Sequence, residues 1–257
     1  MHSNSASGLS FYSLVAVVVA STFIVGCSTP PQNTASEPRV VASIEFASST
    51  LIGPVTQNQL TNWWQQKLKI GSDEADAYEF LTLSSNGQDK RIRVETCADY
   101  TNALNQGAVA LDTSGMTMQG WFQRAAGTMK FIGQAHPSTH PLPAYFLARL
   151  PVSLIGWHGS DEEAQIVEDT RNGITLKDYA RSGKVKNLKL ERHQVSFQTE
   201  GRDFWIEELA RGDVDGDGFE DTWIFVTWHY QEGSGRGYEL QVWSRNKLSP
   251  FHLDWQR

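Results

Sequence analysis

The longest apolar stretch of the chain comes first. Residues 14–25 are apolar apart from Ser21 and Thr22, and residues 1–26 contain no Asp, Glu, Lys or Arg. A bilayer span needs about 20 apolar residues, so this run is too short to cross and has the length of a secretory signal core. Beyond it the pattern becomes periodic. Thr56-Gln57-Asn58-Gln59 has the form of a capping box, and Leu60, Trp63, Trp64 and Leu68 follow at helical spacing before Gly71. These predict an amphipathic helix over residues 57–70. Residues 78–83 and 91–96 read as strands, with Asn86-Gly87 between them as a hairpin signal. A short helix is expected at 98–106, ended by Gly107. Met118, Trp121, Phe122, Ala125 and Met129 share one helical face, weakened by Gly120 and Gly127. Three prolines make 136–143 a loop. Ser160 and Glu163 form a second capping box, for a helix reaching about Arg171. Strands are expected near 186–191, 194–199, 203–209, 222–230 and 238–244, with short connections that favour an antiparallel meander.

The apolar N-terminal run ends at Ile24-Val25-Gly26-Cys27. This resembles the lipobox of bacterial lipoproteins. The resemblance implies cleavage before Cys27, a diacylglycerol on its thiol, and a membrane held through that lipid. Residues 28–38 hold three prolines and no large apolar side chain, a composition that cannot bury enough surface to fold. Ser28 stands where an Asp would retain a Gram-negative lipoprotein at the inner membrane, so the resemblance leans toward the outer membrane. The expected organisation is a signal peptide over 1–26, a lipidated cysteine with a Pro/Ser-rich tether over 27–55, and a single domain over 56–257. The expected fold class is α+β, with an antiparallel β-meander in the C-terminal half and a few helices in the N-terminal half.

Composition narrows the partners. Hydrophobic residues make up 40% of the chain, enough for a core, and the formal net charge is −7. An acidic chain outside the cytoplasm is a poor match for nucleic acid, whose binding is led by basic patches. With Cys27 given to lipid, Cys97 is the one remaining cysteine, so no intrachain disulfide is expected. Cys97 reads as a small buried hydrophobe. The run 177–192 holds six Lys or Arg against two acids and reads as a solvated face.

The strongest internal signal is Asp213-Val214-Asp215-Gly216-Asp217-Gly218-Phe219-Glu220-Asp221, with five acids in nine residues. Such crowding is costly by like-charge repulsion unless a cation is present. Calcium takes 6–8 oxygen ligands in irregular geometry, and two glycines allow a tight curl. The twelfth position counted from Asp213 is Ile224, not the Glu of an EF-hand, and the following residues read as a strand. The stretch resembles the calcium loop between two strands of FG-GAP repeats in integrin-like proteins. That resemblance implies side-chain ligands at Asp213, Asp215, Asp217 and Asp221 and a carbonyl ligand at Phe219. Glu220 falls where the pattern has no ligand.

Weaker signals complete the reading. His136 and His140 are four apart but separated by prolines, so their spacing does not make a helical metal pair. Gly233-Ser234-Gly235-Arg236-Gly237 lies between two strands and reads as a hairpin turn. Trp205, Trp223, Trp228 and Trp243 lie on expected strands, where aromatics are favoured for packing. No Gly-x-Ser-x-Gly, His-Glu-x-x-His or Walker loop is present. Three function classes stand: a non-catalytic envelope binding or structural protein, a carbohydrate- or peptidoglycan-binding module, and a cell-envelope hydrolase.

Overall fold

A computed structural model describes residues 35–47, 49–69, 81–85, 88–110, 113–155 and 160–244. Residues 24–27, read as a lipobox, and Asn86-Gly87, read as a hairpin turn, lie outside them. The centre is a seven-stranded sheet. Its strands are Arg39–Phe46 (β1), Ser49–Pro54 (β2), Lys186–Leu190 (β6), Gln194–Thr199 (β7), Arg202–Gly212 (β8), Asp221–Tyr230 (β9) and Arg236–Ser244 (β10). A smaller sheet joins Leu81–Ser85 (β3), Gln88–Ile92 (β4) and Ala108–Val109 (β5). Every strand pair in both sheets is antiparallel.

The long strand β8 organises the domain. One edge pairs with β9 along its length. The other edge is shared: β7 takes residues 202–207, and β1 takes Ala210 and Arg211. Between Glu208 and Ala210 the β8–β9 register shifts by a bulge. A bulge inserts one residue and reverses the in–out alternation beyond it. Phe204 and Ile206 therefore face one core, and Leu209 and Ala210 the other.

Each face of the sheet carries its own core, as a sheet with two apolar faces requires. The first is covered by Gln57–Trp64 (α1), Cys97–Asn105 (α2) and Thr113–Gln134 (α3), which pack with Ile44, Phe46, Trp223 and Val242. The second is covered by Ser160–Arg171 (α4), Leu176–Ser182 (α5) and the 3-10 turns Phe146–Arg149 and Val152–Ile155, over Phe197, Phe204, Ile224 and Trp243. No helix among the described residues is long and apolar enough to cross a membrane.

This architecture corrects the expected fold class. The chain is mixed but strand-rich, with its sheet mostly in the C-terminal half, and its helices are scattered rather than N-terminal. α4 and α5 lie in the C-terminal half because the second sheet face needs cover. The boundary drawn at residue 56 also moves. Val40, Ile44 and Phe46 alternate as buried positions of β1, so residues 39–54 belong to the sheet rather than to a tether.

Local chemistry explains the element ends. The Gln59 side chain accepts from Thr56 N–H at 2.8 Å, starting α1. The helix stops at Trp64 rather than near 70, because Lys67 and Leu68 form bridges with Thr96 and Phe46. Thr96 and Asp99 form a capping box for α2, and Thr175 and Asp178 one for α5. In α3, Gly120 is where the Tyr238 ring packs onto the helix; an added Cβ would lie 3.2 Å from it. Met118, Phe122, Ala125 and Met129 are buried as their spacing implies, but Trp121 is 44% exposed.

Candidate functional site

The acidic stretch is the turn that joins β8 to β9. Its curl is held by aspartates accepting from backbone N–H groups. Asp213 is buried, and its Oδ1 accepts from Gly216 at 2.7 Å and its Oδ2 from Gly218 at 2.8 Å. Both glycines have positive φ, +77° and +84°, which only glycine adopts without steric cost. Asp215 accepts from Asp217 N–H, and Asp217 from Phe219 N–H, each two residues on.

Asp221, the first residue of β9, is fully buried. Its Oδ2 accepts from Val214 N–H at 2.9 Å. Its Oδ1 is buried and has no hydrogen-bond partner; the Ser244 hydroxyl stands close by but outside hydrogen-bond geometry. Burial pushes the carboxyl up to about 6, against the opposing pull of the Val214 N–H and Ser244, and the charges of Asp215 and Asp217 push the same way. An ionised carboxylate oxygen with no donor inside a protein is expensive. Asp213, Asp215 and Asp221 each bring one ligand atom to within 4.8 Å of the others. This acidic triad can hold a metal ion. Asp217 is not part of that group, and Phe219 packs its ring on His140 at 4.5 Å.

A second loop clasps the turn. His136 and Asp213 exchange backbone hydrogen bonds of 2.7 and 3.1 Å, Thr139 and His140 donate to Gly218 O, and Glu220 donates to His140 O. The two histidines thus brace the acidic turn through their backbones.

Beside the turn lies a cluster that sequence reading missed. Glu220 is fully buried. It meets Arg39 at 2.6 Å and Arg211 at 3.6 Å, and accepts from Leu142 N–H at 2.8 Å. Arg211 also donates to both oxygens of the buried Glu208, at 2.7 and 2.9 Å. Thr222 donates to Glu208 at 2.8 Å, and His193 Nδ1 lies 2.7 Å from its other oxygen. Side chains three apart on a regular strand point to opposite faces. The β8 bulge brings Glu208 and Arg211 to the same face, which makes the bidentate pair possible. A signal was present: Glu208 follows Phe204 and Ile206 in phase, a carboxylate on an apolar face. Glu208 and Glu220 approach the same guanidinium, yet both are sealed from solvent and saturated with donors, unlike an acid–base pair facing substrate.

Of the strand tryptophans, Trp223 and Trp243 are buried and Trp228 packs against the second core. Trp205 is 38% exposed and stacks on His229 at 4.7 Å. They form no row of exposed rings. Cys97 is buried, and burial pushes its thiol well above the ordinary range, as befits an inert packing residue.

Fold and site together define a bulged antiparallel sheet with helices on both faces and an acidic, metal-competent turn. No family model, curated protein or solved structure matches the chain.

Proposed function

We propose that this chain is a lipid-anchored protein of the bacterial cell envelope, of the outer membrane in a Gram-negative host. In this reading the acidic turn carries calcium as a structural ion, and the domain acts by binding rather than by catalysis. The observation that carries the reading is the buried, unpartnered Oδ1 of Asp221 beside Asp213 and Asp215. Calcium suits an all-oxygen, irregular site better than magnesium, which demands a stricter octahedron and dehydrates reluctantly. Asp217 and the Phe219 carbonyl complete the ligand set once the exposed part of the turn closes on the ion. The acids of the turn are then occupied by metal, and the nearby Glu208 and Glu220 by arginine. The anchor rests on the Ile24-Val25-Gly26-Cys27 stretch and the Pro-rich residues after it. Its partners are the membrane, through the lipid, and cell-wall glycan or another envelope protein; nucleic acid is not among them.

Two measurements test this. Isothermal titration of the purified, detergent-held protein should show calcium binding and little response to magnesium; no calcium heat, with equal melting temperatures in EGTA and calcium, would reduce the turn to an acidic loop. Fatty-acid labelling should vanish in Cys27→Ser, leaving an uncut precursor. Undiminished label in that variant refutes the anchor.

A further inference from the structure

We propose that the cleft between β1 and α3 binds a pyranose ring of an uncharged glycan against the indole of Trp121. The inference rests on the glycan-partner part of the proposed function and gives it a site, but it concerns a region remote from the acidic turn in sequence and needs neither the metal nor the lipid. The cleft exists because β1 leaves β8 after Val40, where β7 takes over the edge. Arg124 of α3 spans the split. It is 7% exposed and donates to Ser43 O of β1 at 3.2 Å and to both carboxylate oxygens of Glu207 of β8 at 3.1 and 2.7 Å. The resulting cavity of about 430 Å³ is within the range of small-molecule sites. Its floor is the buried Ile44, Leu68 and Ala125, and its rim is Trp121, Glu45 and Lys69.

The chemistry of the lining selects the ligand. Arg124 is matched by Glu207, and Lys69 lies 3.4 Å from Glu45. At the buried Arg124 an anionic ligand would have to displace the Glu207 carboxylate and a cationic one the guanidinium, while the half-exposed Lys69–Glu45 pair is weak and offers both a donor and an acceptor. An alkyl chain would cover charged groups without bonding them, which is costly. A pyranose has an apolar ring face for the indole and hydroxyls that both donate and accept, so it can join these ion pairs without breaking them. Trp121 is the one residue of its helical stripe that does not enter the core, and its ring lies 5.8 Å from the Arg124 guanidinium carbon. An amphipathic, rigid side chain held beside the buried Arg124 guanidinium is a stacking platform.

The test is titration of the full-length protein in a non-glycosidic detergent, in EGTA, with cellohexaose, chitohexaose and maltohexaose, by calorimetry. At least one should bind saturably below about 10 mM. Trp121→Ala should weaken that binding by about tenfold, and Glu45→Ala, at the exposed rim, by a smaller factor. Melting curves establish that each variant is folded, and the second variant carries the test if the first is not. Silence from all three glycans overturns the proposal, as does wild-type affinity in both folded variants or stronger binding of polygalacturonate than of any neutral glycan. Because EGTA is present throughout, this result stands or falls separately from the calcium reading.

Discussion

Glu220 and Asp221 are consecutive, equally buried carboxylates with opposite surroundings. Glu220 meets two guanidiniums and a backbone N–H. Asp221 has one N–H on one oxygen and, near the other, only the Ser244 hydroxyl, outside hydrogen-bond geometry. Adjacent side chains of an extended chain point to opposite sides, so one step along the backbone separates an ionic cluster completed by the chain itself from a site able to take a cation from solvent. A buried charge must be compensated; the source of the compensating charge decides whether the residue is structural or ligand-dependent.

The largest effect should come from breaking the internally completed side. Arg211→Met removes the cation shared by Glu208 and Glu220 and should cost about 3–5 kcal/mol in urea unfolding, because two buried carboxylates lose a partner. Adding Glu208→Gln should recover part of that loss. Strictly additive losses in the double variant would mean the two residues are not coupled.

The contrast also explains what could be read from sequence. The acidic turn was legible because all its groups lie within nine residues, and repulsion among neighbours demands an explanation on its own. The ionic cluster draws Arg39, His193, Glu208, Arg211 and Glu220 from β1 and the region of β7, β8 and β9. Its central pair exists only because of a bulge at Leu209, and no local pattern announces a bulge without a glycine. The C-terminal strands were readable from alternation and short turns. β1 is not, because the prolines just before it carry the composition of a tether up to its first residue. Trp121 fits its helical stripe by spacing alone; the point where β1 parts from β8 leaves it beside a cleft, and that is a tertiary fact.

A change of pH probes the solvent-completed side next. The Asp221 carboxyl titrates near 6 in the metal-free fold, above its ordinary 3.8. Between these values the folded state keeps a proton that the unfolded chain has released. The metal-free domain should therefore lose stability as pH rises through that window, opposite in sign to a salt-bridged carboxylate. Calcium needs the ionised form, so its affinity should rise with pH and level off near neutrality. At pH 5 the dissociation constant should be about tenfold weaker than at pH 7. Titration calorimetry at both values, giving equal constants, would remove Asp221 from the ligand set.

The most discriminating comparison exchanges one oxygen for nitrogen in each of the two neighbours. Asp221→Asn keeps the acceptor for Val214 N–H but removes the charge that had no donor. In EGTA it should melt at or slightly above the wild-type temperature, since the desolvation cost of the buried charge and the smaller repulsion from Asp215 and Asp217 are relieved. In millimolar calcium it should forgo the ion's stabilisation, on the order of 1 kcal/mol for a site of extracellular strength and a few degrees of melting temperature. Glu220→Gln should behave the other way. It weakens the pairs with Arg39 and Arg211 under both conditions, so its melting temperature falls with and without the ion. The calcium increment itself should survive, because Glu220 points into the arginines and away from the triad. Two variants one residue apart, one less stable than wild type only in calcium and the other less stable by the same amount with and without it, would separate the borrowed cation from the built-in ones. Loss of the calcium increment in both would show instead that the turn and the arginine cluster form a single electrostatic unit.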